Sequence, residues 1–490
     1  MVIRNNDKEC IILRITVKYL FLLTLILSFM EIGYSIPQFA KKYGVSCITC
    51  HAAVPKLNAF GDAFRRNGFQ VPGTMDPTPV WQQEALPLSG MPHPMYMRKN
   101  MKNNMLVPTT SGIPSGKTLS VDTFNSAFEL FSGGTAGNHL SYLAFLTIHV
   151  DPEISAGGEE ASDDHDGSSG GGSSVASIGT HIETEFHQFF ITYNNLFSKS
   201  NMGKLNLRLG FFHLDVPFVS LRKLTSEMSP NLVYHVSPVA GGFNLSKRQL
   251  GVSAFGGLGS MRLRLDYEVA LVNGTNNLLD TNEDKDLFVR AALNRNDRLR
   301  IGALYYKGNQ NIGGGSNLSV RKDNFTRFGF DATYNLPRGA SVFAQWLKGD
   351  DDEIDWRIPG KQPFEFTGGF VGAEFPLSVL SPDNRFLRKI WLIGKYDYVD
   401  VSKQIELTNP IMNKKLLTNT GNEKRINMYT VTLRYYFQPN VIMVLETGKQ
   451  DNLIGYPPLD KMTDGEASGA AGRVLNVDAD WIMAMFVLAF

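Results

Sequence analysis

Three residues near the N-terminus carry the clearest chemistry in the chain: Cys47, Cys50 and His51, in the order Cys-Ile-Thr-Cys-His. At this composition the chance expectation for the pattern Cys-x-x-Cys-His is roughly 3 in 10,000. Two thiols at this spacing match the vinyl groups of a haem, and the adjacent histidine supplies the proximal iron ligand. The motif therefore predicts one covalent c-type haem, attached through Cys47 and Cys50 and ligated by His51.

Two other uses of paired cysteines fit the sequence less well. A thioredoxin-like redox pair belongs to a βαβ unit, and no such pattern surrounds residues 47–50. A structural zinc site needs further cysteine or histidine ligands at short spacings, and none is suitably placed. The third cysteine, Cys10, lies in a segment that is expected to be removed.

The second axial ligand of the haem is left open among several residues. The favoured candidates are His93, Met95 and Met91, in the run Met-Pro-His-Pro-Met, and the prolines should keep this run extended. Met75 and Met97 are further candidates. A methionine ligand would raise the reduction potential relative to a second histidine. For any single candidate, a loop residue that does not contact iron is the favoured interpretation.

The first 35 residues resemble a secretory signal peptide. Arg4, Lys8, Arg14 and Lys18 form a basic leader, and residues 19–30 form an uncharged apolar run of about 12 residues, short of the ~20 that a spanning helix needs. Small residues near Ser35 allow cleavage, so the mature chain is predicted to begin at Ile36. An uncleaved inner-membrane anchor is the alternative.

From about Leu119 onward, segments of about 10 residues alternate between apolar and polar side chains. In residues 261–272, for example, Leu263, Leu265 and Val269 share one face, whereas Arg264 and Glu268 share the other. A period of two indicates β-strands. About fifteen such segments, with the even strand number of bacterial barrels, predict a ~16-stranded antiparallel transmembrane β-barrel. A soluble sandwich with one solvated face is the alternative.

The predicted fold class is therefore mainly β, with a small haem-binding segment of short helices before the barrel. The predicted division is a signal peptide over 1–35, a monohaem cytochrome c domain over 36–118 that plugs the barrel, and a porin-like outer-membrane barrel over 119–490. Within the haem domain, a short helix is expected from about Leu57 to Asn67, with Gly68 as its C-terminal cap. Trp346, Tyr334, Tyr305 and Trp481 are expected in the interfacial girdles.

Composition excludes several functions. The 48 basic and 47 acidic residues nearly cancel, which gives no electrostatic case for nucleic acid. The sequence contains no recognisable catalytic constellation or nucleotide-binding loop. Two acidic stretches, residues 151–179 and 350–355, are expected to be solvated loops, although His165 in the first could attract a hard cation. Arginines on the polar strand faces are expected to wet the lumen or, alternatively, to select anions: Arg208, Arg262, Arg264 and Arg290.

The stretch Ile-Pro-Gln-Phe-Ala-Lys-Lys-Tyr-Gly-Val-Ser-Cys, residues 36–47, resembles the outer-membrane fused cytochrome–porin proteins best known as iron oxidases. The similarity continues through residues 55–61 and 64–69, about 35 residues in all, and is architectural elsewhere. Lys41, Tyr43 and Phe69 depart mildly from the family pattern, where arginine, threonine and tyrosine are expected.

The resemblance implies an outer-membrane electron conduit, with haem c as its cofactor and Fe(II) or another extracellular redox donor as its substrate. It would act as an Fe(II):cytochrome c oxidoreductase, with a periplasmic c-type cytochrome as the partner. One alternative reverses the current, so that electrons leave the cell for an external acceptor. Another is a solute porin whose haem domain acts as plug or sensor.

Overall fold

The computed structural model describes residues 38–74, 78–82, 87–103, 118–155, 177–196, 203–219, 222–225, 229–237, 243–260, 262–275, 282–312, 321–352, 363–403, 408–409, 414–415, 425–451, 453–454, 474–475 and 477–489. The predicted signal peptide, the candidate ligand Met75 and His165 of the first acidic stretch lie outside these residues. Among the residues described, no helix has the length and apolar composition needed to cross a membrane.

The N-terminal segment is built from three short helices and one small hairpin. The helices are α1 (Gln38–Tyr43), α2 (Cys47–Cys50) and α3 (Ala59–Arg66). The hairpin pairs β1 (His51–Ala53) with β2 (Lys56–Leu57). Helix α3 is somewhat shorter than the predicted span of 57–67, because Asn58 caps its N-terminus through a side-chain bond from the Gly61 amide at 2.9 Å.

Most of the remaining chain forms strands. They are β3 (Leu88–Asn103), β4 (Thr118–Thr135), β5 (Leu140–Ser155), β6 (Ser177–Tyr193), β7 (Asn206–His213), β8 (Arg248–Gly259), β9 (Leu263–Val272), β10 (Asp286–Arg295), β11 (Leu299–Ile312), β12 (Arg321–Asn335), β13 (Ser341–Asp351), β14 (Phe364–Pro376), β15 (Ile390–Lys403), β16 (Thr408–Asn409), β17 (Lys414–Lys415), β18 (Arg425–Gln438), β19 (Val441–Asp451), β20 (Leu453–Ile454), β21 (Val474–Leu475) and β22 (Val477–Leu488). Short 3₁₀ turns occur at Val80–Gln82, Leu232–Tyr234, Pro337–Gly339, Leu377–Val379 and Leu387–Lys389.

Sixteen of these strands form one closed antiparallel barrel. Each pairs with its neighbour along the chain, and β22 pairs with β3 to close the ring. The pairs β16–β17 and β20–β21 are small hairpins outside it. The structure thus confirms the predicted 16-stranded barrel and its mainly β fold class.

The barrel begins earlier than predicted. Strand β3, Leu88–Asn103, is part of the wall, so the predicted boundary between residues 118 and 119 is wrong. The N-terminal segment, for which haem binding is predicted, ends before Leu88. The reason for the error is local: Pro92 and Pro94 interrupt the strand pattern, because proline lacks an amide hydrogen for the ladder.

The outward faces of the strands are apolar. On β9 the side chains of Leu263, Val269 and Leu271 are exposed, whereas Asp266 and Glu268 point inward and are buried. A closed barrel satisfies its backbone hydrogen bonds internally, and an apolar exterior matches the hydrocarbon core of a bilayer. The chain is therefore an integral outer-membrane barrel, as the sequence predicted.

The two ends of the barrel differ. At one end the connections are short, such as 136–139, 296–298 and 439–440, whereas at the other they reach the length of 156–176. In outer-membrane barrels the short turns face the periplasm. The N-terminal segment contacts the inward wall at the short-turn end, where Gln38 binds Ser89 and the Gly133 amide.

The lumen is filled in the part of the chain that the structure describes. After β7 the chain turns inward, and Phe218, Val233 and Tyr234 pack against the inward-facing Phe343 and Phe370 of the wall. Phe64 and Phe69 of the N-terminal segment belong to the same apolar cluster. Side chains of the N-terminal segment and of the chain after β7 therefore pack inside the barrel in this region. Trp481 is not in a girdle, because it faces inward and is buried beside Glu446.

Candidate functional site

Cys47 and His51 line one cavity at the short-turn end of the barrel, and Cys50 lies between them in the chain without lining it. Helix α2 carries both cysteines, and β1 begins at the histidine, so all three residues lie within one turn of chain. The cavity has a volume of about 230 Å³, and the barrel wall contributes Trp391 and Tyr436 to it. The remaining lining residues are Ile48, Ala52, Ala53, Val54, Arg388, Lys389, Phe437, Gln438 and Pro439.

His51 is held in one tautomer. Its Nδ1 atom lies 3.0 Å from the carbonyl oxygen of Pro55, and because a carbonyl oxygen only accepts, Nδ1 must carry the proton. The lone pair is then on Nε2, the atom left for a metal. Burial lowers the pKa of His51, although the Pro55 bond opposes the effect, so the imidazole is neutral near pH 7. This is the usual arrangement behind a metal-ligating histidine.

Asn58 and Gly61 join the motif to helix α3. The side-chain amide of Asn58 donates to the carbonyl oxygens of Ile48 and Thr49, at 3.2 and 3.0 Å. The backbone N–H of Asn58 donates to the Cys50 carbonyl oxygen at 2.9 Å. A Cβ atom at Gly61 would lie 2.1 Å from the Cys50 carbonyl oxygen, so only glycine permits this approach. These contacts fix helix α2 against helix α3.

The thiols of Cys47 and Cys50 are free and half-buried. Burial raises the pKa of both thiols above the usual value. A redox-active pair depends on a lowered thiol pKa, because the thiolate is the nucleophile. The environment of the two cysteines thus disfavours the thioredoxin-like interpretation.

The segment that follows His51 is anchored to the wall on two sides. Arg434 and Tyr436 donate to the Val54 carbonyl oxygen at 3.1 and 2.8 Å. Lys56 forms a salt bridge with the buried Glu374 of β14 and donates to the Ser341 hydroxyl at 2.7 Å. These contacts fix the cavity relative to the barrel.

The candidates for the second axial ligand lie on β3, in the barrel wall rather than in a loop. Met95 and Met97 pack in an apolar cluster that also contains Val54, three residues from His51. His93 is engaged elsewhere, because its Nε2 atom lies 3.2 Å from Glu129. The run is extended, as expected, but as part of a wall strand rather than a loop. Of the favoured candidates, the structure brings Met95 to the same cluster as Val54.

A buried charge network, which the sequence did not reveal, ties helix α3 to the wall. Arg66 bonds Asp62 at 3.0 Å and Asp215 at 3.2 Å, and it lies 3.8 Å from Asp266. Arg264 reaches Asp62 and Asp266 from β9. Guanidinium groups outnumber carboxylates in this network. The arginines are Arg65, Arg66, Arg208, Arg222, Arg264, Arg290 and Arg300, and the acidic members are Asp62, Asp215, Asp266, Glu268 and Asp331.

The arginines that the sequence assigned to the lumen face have different roles. Arg290 forms a two-pronged pair with Asp331 at 2.8 and 3.0 Å, and Arg208 stacks over the rings of Phe190 and Phe255. Arg264 belongs to the network around Asp62. Arg262 lies in the turn before β9. The side chains of Arg290, Arg208 and Arg264 thus contact protein groups rather than wetting an open channel, whereas Arg262 is exposed.

The requirements of a c-type haem match this site. It needs two thiols for the vinyl groups, a neutral imidazole nitrogen for the iron, and apolar room beside them. Cys47 and Cys50, the Nε2 atom of His51, and the cavity walls at Trp391 and Tyr436 supply these. The covalent haem stays a prediction, and the ligand atoms present here are compatible with it.

Comparison with known proteins yields a shared architecture only. No protein-family model matches the chain, and no curated protein does. One similar solved structure is the outer-membrane channel DcaP of Acinetobacter baumannii, with 13% identity and a TM-score of 0.45, covering 82% of this chain and 96% of that one. Another is an anion-selective porin from Comamonas acidovorans, with 10% identity and a TM-score of 0.45, covering 82% of this chain and 98% of that one. OccK7 of Pseudomonas aeruginosa is a third, with 11% identity and a TM-score of 0.39, covering 82% of this chain and 99% of that one. These values describe a barrel fold and carry no functional argument.

Proposed function

We propose that the protein is an outer-membrane electron conduit that links an extracellular donor, Fe(II), to a periplasmic c-type cytochrome. The observation that carries the proposal is the position of Cys47, Cys50 and His51 within a membrane barrel whose lumen is filled by buried side chains. Bound there, one covalent haem would supply a one-electron redox centre. Since a lipid core ~30 Å thick insulates, an electron carrier across it needs such a centre inside a barrel.

The chain's own residues would bind and orient the group. Cys47 and Cys50 would hold it covalently, and the Pro55 carbonyl fixes the tautomer of His51. Trp391 and Tyr436 would give the group an aromatic wall on one side of the cavity. Arg388 and Lys389 line the same cavity at the short-turn end, and they give this mouth a positive charge that suits an acidic partner.

Fe(II) as the donor rests on the resemblance of residues 36–69 to the cytochrome–porin iron oxidases. Family membership is proposed on the same residues, and it would make the protein an Fe(II):cytochrome c oxidoreductase. The chemistry of the Cys-x-x-Cys-His motif supports haem attachment independently of the donor.

Fe(II) is expected to reduce the oxidised protein rapidly. Purified protein in detergent, mixed with Fe(II) in a stopped-flow absorbance instrument at controlled pH, should develop the α-band of reduced haem. Reduction by dithionite but not by Fe(II) would contradict the iron assignment and leave the haem intact. A midpoint potential well below zero would instead favour electron export to an external acceptor.

A solute porin with a haem-bearing plug is the second candidate. It is favoured by Arg300, whose Nε and Nη2 atoms are buried and have no hydrogen-bond partner among the described residues. Guanidinium groups are in excess around Arg300, and a lumen wall with this positive charge would suit a passing anion.

Conductance distinguishes the two candidates. In planar bilayers the sealed conduit is expected to show no stable open-channel current in salt solution, because the N-terminal segment and the chain after β7 fill the lumen. A steady, anion-selective conductance in the haem-loaded protein would favour the porin. A well-characterised open porin in the same bilayer is the positive control.

A further inference from the structure

A second cluster of metal-binding side chains lies on the inner wall, toward the long-loop end of the barrel. His149 of β5 and Glu185 and His187 of β6 offer ligand atoms that all lie within 4.8 Å of one another. Phe186 is exposed on the outer face, so the neighbouring Glu185 points to the lumen. His187 is the extra residue of a bulge, and it stacks on Phe145 of β5 at 4.7 Å between ring centres. The N-terminal segment meets β6 at its other end, around Asn194 and Asn195.

The barrel register brings further histidines to the same level. His93 pairs with Ala127, and Ala127 pairs with His149, so these histidines lie at one height on β3 and β5. His213, the last residue of β7, pairs with Arg248. The cluster is therefore part of a belt of imidazoles and carboxylates across neighbouring strands, and its origin is the lateral alignment of strands rather than any local sequence motif.

Two imidazoles and one carboxylate form a ligand set with a distinct preference. Imidazole nitrogen suits iron, zinc, copper and nickel, and the combination of two histidines with one carboxylate is the set that non-haem Fe(II) sites use. Bond lengths of about 2.0–2.2 Å to one ion bring ligand atoms to within roughly 3–4 Å of each other. The Nε2 atom of His187 and the Oε2 atom of Glu185 are 3.8 Å apart, which needs only small side-chain rotations.

The cluster already faces a positive charge. The guanidinium of Arg248 donates to the Nδ1 atom of His187 and to the Oε1 atom of Glu185. Lone pairs of the His187 imidazole and the Glu185 carboxylate therefore point at the same cation, the Arg248 guanidinium. Arg248 also has an alternative contact, since its guanidinium carbon lies 5.9 Å from the centre of the Phe211 ring.

We propose that His149, Glu185 and His187 bind a divalent first-row transition-metal ion in the lumen, in the place that the Arg248 guanidinium takes when no metal is present. The ion displaces Arg248 toward Phe211. This site goes beyond the proposed function, because it needs no haem. Where Fe(II) is the donor, the same site holds it inside the barrel on the long-loop side.

Metal binding to the full-length protein tests this proposal directly. Co(II) is the probe, in equilibrium dialysis of detergent-purified protein with elemental analysis of the bound metal. The wild type is expected to bind one Co(II) per chain, and His187→Gln, His149→Gln and Glu185→Gln should each weaken binding by roughly tenfold or more. Arg248→Gln should tighten it, because the competing cation is gone.

His139→Gln is the matched control. His139 lies in the turn between β4 and β5, stacks on Tyr193 and bonds the Asn194 carbonyl at 3.0 Å, away from the cluster. Its variant should bind Co(II) like the wild type. Unchanged affinity in His187→Gln and Glu185→Gln would overturn the site, and unchanged affinity in Arg248→Gln would overturn the displacement of the guanidinium.

The outcome is independent of the electron-transfer proposal. Co(II) binding should persist in a chain in which both Cys47 and Cys50 are replaced by serine, because no ligand of the cluster belongs to the haem segment. Loss of Co(II) binding with retained reduction by Fe(II) would remove only the lumen site. Each variant must first show the heat-dependent gel migration of a folded barrel.

Discussion

Replacing both Cys47 and Cys50 with serine is expected to abolish covalent haem, so that denatured protein on a gel gives no haem-dependent peroxidase stain. Serine hydroxyls do not form thioethers with vinyl groups, and no other described cysteine lies near the motif. The barrel itself should persist, because Asp62 and Arg66 of helix α3, not the cysteines, make the buried contacts with the wall.

Cys10→Ser is the matched control for this double variant. Cys10 lies in the predicted signal peptide, so its replacement should leave the stain and the mass of the mature haem protein unchanged. The double variant should still show heat-dependent gel migration. A stain that survives denaturation in the double variant would contradict covalent attachment through the motif, and with it the conduit proposal.

The barrel was predictable because it depends on local patterns, and the Cys-x-x-Cys-His motif, whose haem stays a prediction, is recognised in the same way. Cys47 to His51 is a contiguous motif, and the alternation through residues 261–272 reflects the two faces of a strand. Strand β3 escaped prediction because Pro92 and Pro94 break that alternation, although an antiparallel wall tolerates them here. Local patterns therefore give the architecture but place its first strand incorrectly.

The filling of the lumen could not be predicted in the same way. Phe343, Phe366 and Phe370 alternate along their strands like any apolar residues, and only the closed structure shows that they point inward. The aromatic cluster that they form includes Tyr234 and Phe64, which are distant in the sequence. A long-range contact between an inserted segment and a wall leaves no periodic signal in either.

The buried ion pairs illustrate this limit most clearly. Arg66 and Asp215 are separated by 149 positions, yet the guanidinium and the carboxylate meet at 3.2 Å. Arginine at the end of a short helix, as in α3, is also what an exposed helix would carry. The charges that fasten the haem segment to the barrel therefore look like surface charges until the fold is known.

Asp215→Asn is expected to destabilise the protein strongly. The Asp215 carboxylate bonds Arg66 and Arg222, and the guanidinium groups of Arg65, Arg290 and Arg300 lie within 3.6–3.8 Å of it. Asparagine keeps the shape but removes the charge, which leaves several buried cations without their shared anion. Breaking a buried pair from one side costs about 3–5 kcal/mol.

The free energy of unfolding is the quantity to measure, from urea titrations of the refolded protein followed by tryptophan fluorescence. Asp284→Asn is the control: its partner Lys322 and Asp284 itself are both about half exposed, and such pairs contribute about 1 kcal/mol or less. Equal, small effects in the two variants would mean that the network around Asp215 does not hold the N-terminal segment. A large loss for Asp215→Asn alone would make the charges around helix α3 the fastening of the haem segment, and haem retention in this variant should then fall with the stability.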